Sequence, residues 1–299
     1  MKLTAILICI TIFLNSCTDP KRNAMVFMTD YGTKDGAVSS MKGVAHSVDK
    51  DIALFDITHE IPAYNIWEAA YRLNQSASYW PAGTVFVSVV DPGVGTERKS
   101  IVVETKTGHY FVSPDNGTLT LVADELGITA AREIDETINR RSNSKQSYTF
   151  HGRDLYAYAG AKLASGKISF KEIGPLLTVP LRRLSYQKPV FENGVIKGNI
   201  PVLDIQYGNV WTNINDTLFK NLQVISGEKL HIVIHNKDSL LYQGVIPFVN
   251  TFGDVPEKQP LAYLNSLMNV SFAFNMGNFS DSLQIKSGEN WNIQISKAP

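Results

Sequence analysis

The chain has 299 residues, 44% of them hydrophobic and 19% charged, an ordinary globular composition. That length accommodates two domains. Lys plus Arg equals Asp plus Glu at 28 each, so neither a basic surface for nucleic acid nor a charged interaction tail is expected.

The chain opens "MKLTAILICITIFLNSC": Lys2, an apolar run from Leu3 to Leu14, then Asn15-Ser16-Cys17. The run is shorter than the roughly 20 apolar residues a spanning helix needs. It has the parts of a secretory signal peptide. "LNSC" resembles a bacterial lipobox, whose cysteine becomes the lipidated first residue, and the polar "TDPKRN" after it reads as a tether. A buried N-terminal strand is the competing reading. Residues 1–23 are therefore expected to be signal and tether. Lipid on Cys17 would be the membrane attachment of an exported protein in the periplasm or at the cell surface. Cys9 and Cys17 are both used up by this scheme, which excludes disulfides, thiol nucleophiles and cysteine metal sites.

Next, "AMVFMTD" reads as a buried strand stopping at Asp30. "AVSSMKGVAHSV" has helical spacing, "DIALFDITHE" is a second strand, and "NIWEAAYRLNQSASYW" an amphipathic helix closed by Pro81 and Gly83. "GTVFVSVV" is a third strand that delivers Asp91, followed by strands "KSIVVET" and "HYFVSP". Helices are expected in "NGTLTLVADELG" and "RDLYAYAGAKLASG", each ending at a glycine. This alternation predicts a layered, Rossmann-like α/β domain over 24–180. From about Val190, short β-like runs separated by Gly and Asn predict a smaller all-β domain over 190–299, a barrel or sandwich.

In such sheets ligands gather at the carboxyl ends of strands. Asp30, Thr58-His59-Glu60, Asp91 and Ser113-Pro114-Asp115-Asn116 all follow strand-like runs. "VVDPGVGTERKSIVVE" holds Asp91 and Arg98, either a loop-bracing ion pair or a fixed, oriented donor fork. His151, just before a helix, is a candidate general base, metal ligand or structural residue. Asp154 falls in a first helical turn, where an acid complements the helix dipole. No zinc-type spacing, phosphate loop, dinucleotide fingerprint or nucleophile elbow occurs, so neither a metal nor a cofactor is expected.

"MTDYGTKDG", "DITHEIPAYNIWEAA", "DPGVGTER", "FVSPDNGTLTLV", "TFHGRDLYAYAGAKLASG", "LDIQYGNVWTNI" and "NMGN" occur in that order. Together they resemble the S-adenosylmethionine hydrolases (hydroxide adenosyltransferases), relatives of the fluorinase and chlorinase enzymes, over about Met25 to Ser280. The resemblance implies an α/β domain joined to a β-barrel and a homotrimer with ligand between subunits. It also implies attack of water at the ribose C5′ of S-adenosylmethionine, giving adenosine and methionine. The family's Asp-Arg-His set matches Asp91, Arg98 and His151. Asp30 matches the acid at the ribose hydroxyls, and Tyr64 falls where the halogenases stack a tryptophan. Asp204 and Asn209 match contacts to the amino-acid end and adenine, and Asn278 an adenine-side asparagine.

Three positions depart from relatives. Met276 stands where many carry arginine, which puts carboxylate recognition in doubt. Gly152 and Asp91 stand where the halogenases have serine and tyrosine, which argues for hydrolysis. Two further readings stay open: a nucleoside-binding lipoprotein without turnover, and a hydrolase of another 5′-substituted adenosine.

Overall fold

The computed structural model describes residues 22–299; the expected signal segment and Cys17 lie outside them. Strand β1 (Met25–Thr29) is buried at every position. A strand apolar along its whole length needs cover on both faces. The chain supplies that cover with α1 (Ala37–Val48), β2 (Leu54–Thr58), α2 (Ile66–Ala77), β3 (Val85–Val89), β4 (Ser100–Thr105), β5 (Tyr110–Pro114), α3 (Thr120–Glu125), β6 (Ile128–Glu133) and α4 (Glu136–Asn139). The strands form one sheet in the order β2-β1-β3-β5-β4-β6. β2, β1, β3 and β5 run parallel, and β4 is antiparallel to both β5 and β6.

Strand side chains alternate between faces. Met25, Phe27, Val85 and Val87 pack on one side with Met41 and Ala45 of α1 and with Leu155, Ala159 and Leu163. Val26, Met28 and Phe86 pack on the other with Ala69 and Leu73 of α2 and Val122 of α3. The result is a three-layer α/β/α unit. α1 buries Val38, Met41, Ala45 and Val48, the three- and four-residue spacing of a single helix face. α2 starts where the Asn65 side chain accepts the Glu68 N–H.

The helix expected after His151 is present, but its first part, Gly152–Ala157, is π-helical and passes into α5 (Tyr158–Ala164). π-helical turns are rare and concentrate at functional sites. Asp154 lies in the first turn of this helix, as expected, and is also the centre of an ion-pair cluster. Its side chain is fully buried, accepting from Arg141 Nε at 2.9 Å, Arg153 Nε at 2.9 Å and Arg153 Nη2 at 2.7 Å. Burial alone would raise its pKa; the two guanidinium groups outweigh that and lower it from 3.8 to about 2.

The second half contains β7 (Val190–Glu192), β8 (Val195–Asn199), β9 (Val202–Leu203), β10 (Val210–Asn215), β11 (Lys229–Asn236), β12 (Ser239–Pro247), β13 (Pro260–Leu264), β14 (Asn269–Phe274) and β15 (Trp291–Lys297). Hydrogen bonding gives two sheets, β12-β11-β15-β8-β7 and β13-β14-β10-β9, with one isolated bridge, Phe248 to Ala262, between the chain just past β12 and β13. The chain changes sheet between β8 and β9 at Pro201, which has no N–H to continue a ladder. Alternate residues of both sheets, including Ile232, Ile234, Ile293, Val210 and Phe272, share one core. The two halves of the chain are joined where Trp67 Nε1 donates to the Pro201 carbonyl at 2.8 Å and Arg72 Nη2 to that of Leu203 at 3.3 Å.

Because the Asp154 pKa is lowered on folding, its contribution is present above about pH 4 and is lost as pH falls toward 2. Asp154→Asn should therefore destabilise the protein by about 1–2 kcal/mol at pH 7 in denaturant titrations. The gap from the unsubstituted protein should close as pH falls through that window. A gap that is constant down to pH 2.5 would contradict this role.

Candidate active site

The four parallel strands end on one edge of the sheet. β1 and β3 are neighbours in register, Thr29 beside Val89, so Asp30, the next residue, and Asp91, two residues on, leave the same edge of the sheet. Asn116, from the end of β5, donates through Nδ2 to the Val90 carbonyl at 2.8 Å and fixes the backbone just before Asp91.

The loop from Asp91 to Arg98 is built from tight turns. Val94 N–H donates to the Asp91 carbonyl at 3.2 Å, and Thr96 donates to the Gly93 carbonyl through both N–H and hydroxyl. Gly95 has φ +77°, and a Cβ there would lie 2.9 Å from the Tyr148 carbonyl, so only glycine fits. The turns carry Arg98 back onto Asp91. Arg98 Nε donates to Asp91 Oδ1 at 2.7 Å, and Nη2 donates to Oδ2. Both side chains are about 95% buried, at 6% and 4% exposed. Nη1 donates to Ser100 Oγ at 3.0 Å, and that hydroxyl meets Tyr156 OH at 3.0 Å. Burial opposes the Arg98 charge, but the Asp91 carboxylate more than offsets it and holds the guanidinium pKa above its usual value.

The same Nη2 lies 3.2 Å from His151 Nδ1. A guanidinium only donates, so Nδ1 is the acceptor. Burial, then Arg140 and Arg98, lower the His151 pKa below 6.5. The ring is therefore neutral at pH 7, with its proton on Nε2. In that tautomer the nitrogen not engaged by Arg98 is a donor, so among the candidate roles of His151 the geometry favours donation over proton abstraction. Asp91, Arg98 and His151 thus form one connected buried array, and the ion pair is more than a loop brace.

Asp30 Oδ2 accepts the Tyr64 backbone N–H at 2.9 Å, which brings those two candidates together. Tyr64 stands in the left-handed region at φ +67°, with its ring 72% exposed. Across the other half of the chain, Asp204 Oδ2 accepts from Asn209 Nδ2 at 3.4 Å. Gly208 N–H donates to the Asp204 carbonyl, while Ser280 N–H donates to the carbonyl of Gly208. Asn278 caps the short helix Phe279–Leu283 through the Asp281 N–H. These three therefore share one corner. Among the described residues no hydrogen bond or ion pair links that corner to Asp30, Asp91, Arg98 or His151 of the same chain. Asp154 is turned to its arginines and does not join the array. Ser100 and Tyr156, which brace Arg98, carried no signal in the sequence: each sits within a regular apolar pattern.

The SAM hydroxide adenosyltransferase N-terminal domain pattern matches residues 25–174, and the corresponding C-terminal domain pattern matches 198–292. An (R)-S-adenosyl-L-methionine hydrolase of Methanocaldococcus jannaschii is 48% identical over 139 residues, 45% of this chain and 51% of that protein. That alignment therefore spans about half of the relative. A protein of the same description from Thermus thermophilus is 30% identical over 268 residues, covering 88% of this chain and 96% of its own. A fluorinase of Actinopolyspora mzabensis is 28% identical over 292 residues, 89% of this chain and 95% of that one. An uncharacterized conserved protein from Thermotoga maritima superposes with a TM-score of 0.83 at 35% identity, over 91% of this chain and 100% of the other. With both domain patterns matched in order along one chain, the protein belongs to the SAM hydroxide adenosyltransferase family.

Proposed function

We propose that the protein hydrolyses S-adenosyl-L-methionine to adenosine and L-methionine by attack of water or hydroxide at ribose C5′. The observation that carries this reading is the buried Asp91–Arg98–His151 array beside Asp30 on the neighbouring strand. Bulk water has a pKa of about 15.7, so hydroxide is scarce at neutral pH and needs fixed donors to favour it. Four of the five Arg98 N–H groups are taken by Asp91, His151 and Ser100, which fixes the guanidinium. The His151 Nε2–H and the remaining Arg98 N–H are suited to hold the oxygen. The C5′–O bond forms as C5′–S breaks, sulfur takes the electron pair, and the sulfonium charge is cancelled as the water proton leaves to solvent. A buried site favours this loss of charge over bulk water. Asp30 is suited to accept from the two ribose hydroxyls, and Tyr64 to cover the nucleoside.

Asp204, Asn209 and Asn278 would contact adenine and the amino-acid end. From the family resemblance we infer a homotrimer in which each site is completed by the neighbouring subunit; among the described residues, the lack of a hydrogen bond between this corner and the array within one chain agrees with that reading. The exposed side chains flanking that corner, Ile205 and Tyr207, support burial against a partner. Met276, at an exposed turn with φ +54°, offers no charge to a carboxylate, which keeps other 5′-substituted adenosines in view. Export and lipid attachment at Cys17 are proposed from the N-terminal sequence.

Purified protein incubated with S-adenosylmethionine should yield adenosine and methionine on chromatography, and Arg98→Ala should lower the rate at least 100-fold. No product from S-adenosylmethionine, with turnover of another 5′-substituted adenosine, would move the substrate. Tight adenosine binding without any turnover would identify a binding protein. Because the working His151 is neutral and its pKa is lowered, kcat/KM should hold from pH 8 to 6.5 and fall only at more acidic pH. A decline already complete at pH 6.5 would contradict the assigned state. For the anchor, Cys17→Ser should move the protein from the membrane fraction to the soluble one; a variant that still sediments with membranes would refute it.

A further inference from the structure

Tyr31 lies next to two of the site residues already described. It follows Asp30, the candidate ribose ligand, in sequence. A Cβ built on Gly152, the residue after His151, would lie 2.6 Å from the Tyr31 hydroxyl oxygen, 3.2 Å from Cε2 and 3.3 Å from Cζ. The hydroxyl therefore occupies the space that any side chain at position 152 would take. Tyr31 is held at its backbone and along its ring. Its N–H donates to Thr29 Oγ1 at 3.2 Å, that hydroxyl meets His59 Nδ1 at 2.8 Å, and His59 Nε2 meets Asp56 Oδ1 at 3.0 Å. Its ring packs edge-on against Phe150, with centroids 5.8 Å apart. Such a chain of contacts preorganises a side chain.

The held hydroxyl has no hydrogen-bond partner in the protein among the described residues, and the side chain is only half-buried. Burial first, then the carboxylates of Asp30 and Asp91, push its pKa up, so it remains a neutral O–H that both donates and accepts. A placed hydroxyl beside the catalytic array, without a protein partner among the described residues, can bond a group bound there.

We propose that the Tyr31 hydroxyl hydrogen-bonds the attacking water and aims it at C5′, with Gly152 leaving room for it. This rests on the hydrolase reading above. The contact adds a third donor to those of Arg98 and His151. A donor from the side of Asp30 ties the position of the oxygen to that of the ribose. Alignment of this kind acts on the chemical step more than on ground-state binding.

The test is steady-state hydrolysis of S-adenosylmethionine by the unsubstituted protein and by Tyr31→Phe, which keeps the ring and its contact with Phe150. The expected result is a kcat lower by about 10- to 100-fold, the worth of one hydrogen bond to a charged partner, with KM changed less than about threefold. A Tyr31→Phe enzyme with unchanged kcat overturns the proposal, whether or not KM rises. A second variant, Gly152→Ala, should lose activity because its methyl displaces the hydroxyl, while Gly152→Ala with Tyr31→Phe should be no slower than Tyr31→Phe by more than about threefold. Independent, multiplicative losses would also overturn the proposal. An unsubstituted protein that turns nothing over would refute the underlying hydrolase reading and this inference with it. An active protein indifferent to Tyr31→Phe would refute this inference alone.

Discussion

A guanidinium and a carboxylate, each about 95% buried at the end of a parallel sheet, are the constraint on which the rest of the site depends. Removing two charges from water is costly, and their attraction offsets that cost only with good geometry and satisfied hydrogen bonds. Here Asp91 takes two of the Arg98 N–H groups, Ser100 a third and His151 a fourth. Tyr156, whose ring lies 5.7 Å from the guanidinium carbon, closes the lower side. Arg98 is left with little freedom, and through it His151 is confined to one tautomer. A site that holds its donors before substrate arrives does not need to reorganise them during the reaction.

The fold explains why the pair can form. The β1–β3 register puts Asp30 and Asp91 on one edge, and the Gly95 turn returns Arg98 to the strand end it has just left. His151 comes from more than fifty residues further on, at the start of a helix whose opening turns are π-helical and whose Asp154 is locked by Arg141 and Arg153. Gly160, further along that helix, lies directly over Val87 and Met25, so the helix sits close on β3 and β1. The ion pair at Asp154 and the close helix–sheet packing together determine where the imidazole stands.

Much of the first half was legible because its strands are short, continuous apolar runs and its helices have clear three- and four-residue spacing. β1, α1, α2 and β3 fall where those patterns place them. β6 was not legible: "ITAARE" has mixed polarity, and it becomes a strand only by pairing with β4. The sheet change at Pro201 likewise divides the β half into two hydrogen-bonded sheets, a tertiary choice that alternation cannot reveal. For the site, the residue types at Asp91 and Arg98 suited both a brace and a catalytic fork. Only the path of the loop onto His151 separates the two. For His151 the sequence left base, metal ligand and structural residue open, because burial and a donating Arg98, which favour a neutral ring donating through Nε2, arise only in the fold. Tyr31 and Gly152 could not be paired from sequence, because their contact spans 121 positions and rests on the absence of a side chain.

The central claim is that water oxygen becomes the 5′-oxygen of the nucleoside product. Hydrolysis of S-adenosylmethionine in water enriched in oxygen-18, followed by mass spectrometry of the adenosine, addresses this directly. One heavy oxygen per adenosine, located on the 5′ carbon, is the predicted result. Adenosine formed without label at that position would contradict attack at C5′ and the role given to the Asp91–Arg98–His151 array.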